Sequence, residues 1–268
     1  MTERAPVSRP APRAAADGGP VLPGAVALTV LDVYDWVAPD GLRGGSAHVH
    51  LASAEGYVVL SGHGQLQTLG GHGYAESALR PGDCLWFTPG IIHRLVNDGG
   101  LRLLAIMQNA GLPEAGDAVL TFPPEILADP DAYARAATGS SPRASSARRR
   151  RDLAIEGYLS LRGQVAEEGP RALDGFYAAA ARLVAGRVPE WRDRWRTGAL
   201  RTVELTGGQL DDIAGPRAGV LGNGGLWRLG RPAGPRGYGM CGRLTRYDPA
   251  AAVLVRGDDP PDPAGGPA

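Results

Sequence analysis

His48-Val-His50, then Glu55 and Gly62, and after a gap Gly82-Asp-Cys-Leu-Trp-Phe-Thr-Pro-Gly90-Ile-Ile-His93-Arg-Leu-Val-Asn97, form the stretch on which the fold turns. The chain's five histidines, His48, His50, His63, His72 and His93, all lie within it. Side chains on a strand alternate between faces, so His48 and His50 point the same way. A third imidazole at His93 and a carboxylate at Glu55 can complete a shell of three nitrogens and one oxygen. Imidazole and carboxylate donors suit Fe, Mn, Ni, Co, Cu or Zn. Any one of these histidines, taken alone, is better explained as a surface residue on an exposed strand. The joint spacing between glycine-marked turns carries the metal reading.

Outward from this stretch, the chain breaks into short apolar runs punctuated by turn residues. Residues 25–37, rich in Val, Leu, Tyr and Trp, read as one or two strands. Further strands are expected at about 46–52, 55–61, 64–69, 73–79, 83–87, 92–97 and 101–108. Breaks fall at Gly62, Gly70-Gly71, Pro81-Gly82, Pro89-Gly90 and Asp98-Gly99-Gly100. Closely spaced short strands argue a sandwich or a barrel. If Glu55 faces inward, alternation brings Tyr57 and Val59 with it, and His93 brings Leu95 and Asn97. Arg94 should then face outward. The wall is mostly apolar, with Tyr57 and Gln65 as polar handles, and suits a small organic ligand.

The stretch resembles the two motifs of the cupin superfamily, roughly G-x5-H-x-H-x3,4-E-x6-G and G-x5-P-x-G-x2-H-x3-N. His48, His50, Glu55 and Gly62 match the first. Gly41 and Gly44 lie on either side of the place for its leading glycine. Gly82, Gly90, His93 and Asn97 match the second, with Thr88 at the expected proline place and Pro89 one residue later. The resemblance covers roughly residues 25–125. It implies a mainly β chain: a cupin-type double-stranded β-helix (jelly roll) barrel with a C-terminal α+β extension. It also implies a metal site of His48, His50, Glu55 and His93. One divalent ion per chain is expected, Fe(II) first, with Mn, Ni, Zn, Co or Cu also compatible. In the family such sites serve dioxygenases, decarboxylases, isomerases and polyketide cyclases. Glu55 and Tyr57 are the candidate catalytic residues, Glu55 as a ligand that can also act as a base.

Composition narrows the class. The chain has 268 residues, 43% of them hydrophobic, enough for a core. Its 40 glycines and 23 prolines fit a turn-rich β-fold rather than a helical one. With 28 basic and 28 acidic residues the net charge is zero, and no global field favours nucleic acid or an anionic membrane. Two cysteines, Cys84 and Cys241, make no disulfide framework. Cys84 reads as a small buried apolar residue. The N-terminal segment lacks the apolar run of a signal peptide, and no stretch approaches a membrane span. A soluble, cytoplasmic protein with a small-molecule substrate is the expectation. Uncovered strand edges and apolar helices make a homodimer the expected assembly.

The expected organisation is a disordered tail (1–23), the barrel (24–125), a wrap and linker (126–151), a helical then short-stranded extension (152–258) and a second disordered tail (259–268). The run Arg148–Arg151 reads as a solvated linker rather than a phosphate-binding patch. Helices are expected at 152–167 and 171–186, with a further turn at 190–196 carrying Trp191 and Trp195. Short strands are expected at 201–205, 219–221, 226–229, 243–246 and 252–255. Gly237-Tyr-Gly239-Met-Cys-Gly242 matches the dinucleotide string G-x-G-x-x-G, but no strand precedes it and no helix follows, so that reading is rejected. Two classes of function remain, a metal-dependent enzyme, oxygenase first, and a non-enzymatic protein that binds a metal or small molecule. Metal-dependent turnover would separate them.

Overall fold

The computed structural model describes residues 20–138, 144–215, 221–222, 224–233 and 235–256. The tails expected at 1–23 and 259–268, apart from residues 20–23, lie outside the described residues. So do residues 139–143 of the linker and 219–220 of one expected strand. The strands are β1 (Ala27–Val33), β2 (His48–His50), β3 (Glu55–Gly70), β4 (Gly73–Leu79), β5 (Cys84–Phe87), β6 (Ile92–Met107), β7 (Ala118–Leu120), β8 (Leu226–Arg228), β9 (Gly237–Tyr238), β10 (Gly242–Tyr247) and β11 (Val253–Val255). The helices are α1 (Pro124–Leu127), α2 (Pro130–Thr138), α3 (Ala144–Glu168), α4 (Asp174–Val184), α5 (Val188–Trp195) and α6 (Arg201–Ala214).

Nine strands form one antiparallel sheet in the order β4-β3-β6-β1-β10-β9, with β5 on β3 and β2 bridging β6 and β7. Two long strands, β3 and β6, run through most of it. Each was expected as two strands, at 55–61 and 64–69 and at 92–97 and 101–108. The intervening glycines bend the paired strands instead of ending them. The β3–β6 register shifts between Val59 and Gly64, where Gly62 and Gly100 both have positive φ. A side chain on Gly62 would come within 2.2 Å of the Gly100 backbone. This is the geometry of a bulge, which adds twist without stopping the ladder. Asn97 secures it: its Oδ1 accepts from the backbone N–H of Gly99 and Leu101, and its Nδ2 donates to the Val33 carbonyl.

Alternation along β6 separates two cores. Leu95 and Leu103 face an inner core with Tyr57, Val59, Leu66, Leu79 and Leu101. Ile92 faces an outer core, where Ala154, Ile155 and Tyr158 of α3 cover Ala47, Val49 and Leu69. An antiparallel cupin-type β-domain is thus followed by a long helical region, and the chain as a whole is mixed α/β. Arg94 points out of the barrel as alternation requires, but it is buried, with its guanidinium bonded to Asp40.

The largest departures lie beyond residue 110. Residues 118–120, for which no strand was expected, form β7, which pairs with β2. Helix α3 begins at Ala144, so the boundary placed at 151/152 falls inside it. Arg148–Arg151 is only partly a solvated run: Arg148 and Arg149 are exposed, but Arg150 and Arg151 bind the barrel segments. Arg151 is 1% exposed and donates to the carbonyls of Trp36, Val37 and Gly44. Arg150 donates to the Gly239 carbonyl, and Arg148 lies over the Trp36 ring. Residues 201–205, expected as a strand, open α6. They continue a helical run from α5 through a wide turn at Arg196–Leu200. The strand expected at 243–246 is β10, and it joins the barrel sheet beside β1.

Candidate metal centre

Two cross-strand contacts build the site. His48 on β2 stands directly opposite His93 on β6. Glu55 opens β3, opposite Phe87 of β5 and Met107 of β6. With His50, two residues along β2, these four side chains are buried and offer donor atoms all within 4.8 Å of one another. His63 and His72 are exposed and stand apart, as the motif spacing requires. Gln65 shares the outward register of Gln67 and Val96 and is not a polar handle of the interior. Tyr57 does face inward, its ring centroid 6.5 Å from that of His93.

The orientation of each imidazole has a visible cause. His48 Nδ1 lies 3.1 Å from the Ser46 carbonyl, and His93 Nδ1 lies 3.1 Å from the Ile91 carbonyl. A carbonyl only accepts, so both Nδ1 atoms donate and the Nε2 lone pairs are left for another partner. His50 Nδ1 lies 3.3 Å from Asp117 Oδ2. Nε2 of His50 and of His93 lie 3.3 and 3.2 Å from the same Glu55 oxygen, Oε2. Yet Glu55 Oε2 and His93 Nε2, both fully buried, have no partner in hydrogen-bonding geometry among the described residues. Buried polar atoms without partners are costly, and here they converge. A cation bound at about 2.1 Å needs donors about 3.0 Å apart when adjacent and about 4.2 Å when opposed. The four donor atoms, all within 4.8 Å of one another, are near enough to close on one ion by side-chain adjustment. Donor chemistry and orphaned atoms both fit a divalent first-row ion.

The charges are set by the same packing. Burial opposes charge on Glu55, but its contacts with His50 and His93 outweigh this and hold the carboxyl well below the usual range. Burial also opposes charge on His50, yet the hydrogen bond to Asp117 and the close contact with Glu55 prevail and push its pKa up to about 9. Burial, aided by the neighbouring His93 and His50, holds His48 well below the usual histidine value. Burial, reinforced by Glu55, keeps the Tyr57 phenol protonated, and among the described residues its hydroxyl has no hydrogen-bond partner. Phe87 closes one wall, its ring centroid 4.2 Å from that of His93.

Two residues at the site were not foreseen. Asp117 is buried beside His50. Cys241 is buried with its Sγ 4.0 Å from His48 Nδ1, and burial pushes its thiol pKa far up. Cys84, expected to be buried, is exposed on the outer face of β5 with Trp86. Cys241 belongs to the G-x-G-x-x-G string, in which Gly239 and Gly242, but not Gly237, are closely packed. A side chain on Gly242 would come within 2.0 Å of the Asp32 carbonyl, and one on Gly45 within 2.5 Å of Cys241 Cα. The string is a strap laid tightly over the barrel. Its Met240 carbonyl accepts from Ser46 N–H and its Cys241 carbonyl from Tyr34 N–H.

Comparison with known proteins agrees with this geometry. Residues 36–107 match the family profile described as the cupin domain. No curated protein matches the sequence. Among solved structures, the chain is similar to a conserved Klebsiella pneumoniae protein with a double-stranded β-helix domain. Identity is 19%, over 31% of this chain and 66% of that one, with a TM-score of 0.26. It is also similar to a cupin protein from Bacteroides fragilis, at 26% identity over 32% of this chain and 65% of that one, with a TM-score of 0.24. The matched parts span just under two thirds of each of those proteins. Scores this low add nothing to the fold described above. The profile does, because His48, His50, Glu55 and His93 all lie inside the matched segment and on the inner face of its sheet: residues 36–107 form a cupin domain.

Proposed function

We propose that this protein is a metal-dependent cupin enzyme acting on a small organic molecule, with dioxygenase-like oxygenase chemistry on Fe(II) as its reaction. The observation that carries this is the preset donor set. Three imidazoles and one carboxylate are buried, oriented by fixed acceptors, and converge on orphaned atoms. A redox-active divalent ion held by His48, His50, Glu55 and His93 would supply activation of O2 and polarisation of a coordinated substrate oxygen.

The chain's own residues define what can react there. Glu55 stays ionised and can accept a proton. Tyr57 stays protonated and can donate a hydrogen bond to a substrate oxygen. Leu85, Phe87, Leu95 and Leu103 around them form or border the inner core and favour an apolar substrate body. The two buried arginines are committed elsewhere, Arg94 to Asp40 and Arg151 to carbonyls and Asp152. A strongly anionic substrate therefore finds no counter-ion among them. A second reading, isomerase, decarboxylase or cyclase chemistry with the ion as a Lewis acid, is favoured by the pairing of an acid, Tyr57, with a base, Glu55.

The test is anaerobic loading of the protein with Fe(II), followed by oxygen-electrode measurements with small neutral compounds that carry neighbouring oxygen donors. Substrate-dependent O2 uptake supports the oxygenase. Turnover without O2 uptake supports the Lewis-acid reading. Stoichiometric binding without turnover, with any metal, leaves a binding protein.

A further inference from the structure

We propose that Asp117 is a positioning residue of the metal centre, which fixes the His50 ring so that Nε2 faces the shared donor point. The proposal rests on the reading of His48, His50, Glu55 and His93 as metal ligands. His48 and His93 are each oriented by the backbone carbonyl two residues earlier in their own segment. His50 is held instead by a side chain from 67 residues away.

That side chain cannot move freely. Asp117 is 0% exposed. Its Oδ1 accepts from the backbone N–H of Leu51 at 3.0 Å and of Ala52 at 2.6 Å. These are the two residues that follow His50. The Leu51 N–H is shared with the Asp117 carbonyl, 3.2 Å away. With Oδ1 pinned in this way, Oδ2 is aimed at His50 Nδ1 at 3.3 Å. A carboxylate offers only acceptors, so Nδ1 must carry the proton that lies between them, and Nε2 is the atom left for a metal. A carboxylate behind a ligating imidazole fixes its tautomer and raises its basicity, and the loss of such a partner typically weakens metal binding 10- to 100-fold.

A purely structural role is the competing explanation, because the same carboxylate also holds the turn after His50. Asp117→Asn separates the two. The amide oxygen can keep the Leu51 and Ala52 bonds, while the amide nitrogen turns a donor toward Nδ1. His50 then prefers the tautomer with its proton on Nε2, which competes with the metal. The experiment uses the full chain and Co(II) as probe. Dissociation constants come from chelator competition, coordination from the visible absorption spectrum, and folding from far-ultraviolet circular dichroism. The expected result is an unchanged dichroism spectrum, Co(II) affinity lower by about 10- to 100-fold and an altered absorption band. If the variant binds Co(II) with wild-type affinity and spectrum, Asp117 has no positioning role, although the ligand reading stands. If the wild-type chain binds no Co(II), the ligand reading fails and the proposal falls with it. Should Asp117→Asn not fold, Asp117→Glu, which keeps the charge but displaces it by a methylene, is judged by the same affinity and spectral criteria.

Discussion

Replacing Arg151 by Met tests how the helical region is tied to the barrel. The guanidinium is 1% exposed and spans three acceptors on the chain between β1 and β2: Trp36 O at 2.7 Å, Val37 O at 2.8 Å and Gly44 O at 3.1 Å. Its Nε also donates to Asp152 at 2.6 Å. Met fills a similar length but leaves all three carbonyls without this donor. Hydrogen bonds to a charged group contribute about 1.5–3 kcal/mol each, though not additively. Removing one member of a buried charged network typically costs about 3–5 kcal/mol. We expect a loss in that range. At a urea m-value of about 2–3 kcal/mol/M, the unfolding midpoint should fall by about 1–2.5 M. Arg151→Lys, with three donors on a shorter reach, should recover part of the loss. A midpoint within about 0.3 M of wild type for Arg151→Met would refute the reasoning and return the run to the status of a solvated linker.

Three further outcomes follow from the same contacts. Gly45→Ala places a Cβ 2.5 Å from Cys241 Cα, so it should lower stability by about 1–3 kcal/mol, read as a drop in the urea midpoint with the sheet dichroism retained. Maleimide should label Cys84 in the folded protein and Cys241 only on unfolding; equal labelling rates would contradict the buried strap. The proton that His50 holds with a pKa of about 9 must leave before metal binds, so affinity should fall as pH is lowered below about 9, by roughly tenfold per unit while that one proton is displaced. A chelator-competition series showing no pH dependence between about pH 6 and 8 would contradict this.

What could be read from the sequence follows from the range of the interactions. The strands that carry His48, His50, Glu55 and His93 were legible because period-two alternation and glycine spacing are local. The same rule placed Tyr57, Leu95 and Arg94 on their correct faces, whereas on β5 the buried side was assigned to Cys84, which is exposed. Local rules failed where a glycine had two possible meanings. Gly62 and Asp98-Gly99-Gly100 read as turns, and only the contact of Gly62 with Gly100 shows that they are paired bulges. Arg151 looked solvated because its acceptors lie more than 100 residues earlier in the chain. Asp117 and Cys241 were illegible for the same reason. Each reaches its histidine across a long separation, 67 residues for Asp117 and 193 for Cys241, and neither sits at a motif place. The G-x-G-x-x-G string did hold a signal, Gly242 where the Asp32 backbone comes close and Gly239 against Leu244, but nothing local said so.

The central claim is that His48, His50, Glu55 and His93 hold one divalent ion. Elemental analysis of protein purified without an affinity-tag metal column tests it most directly, run on the wild type and four variants. The account predicts about one equivalent of a first-row metal in the wild type, in His72→Ala and in Gln65→Ala. It predicts loss of most of that metal in His50→Ala and His93→Ala, with β-sheet dichroism intact in all. A full equivalent retained by both ligand variants would contradict it.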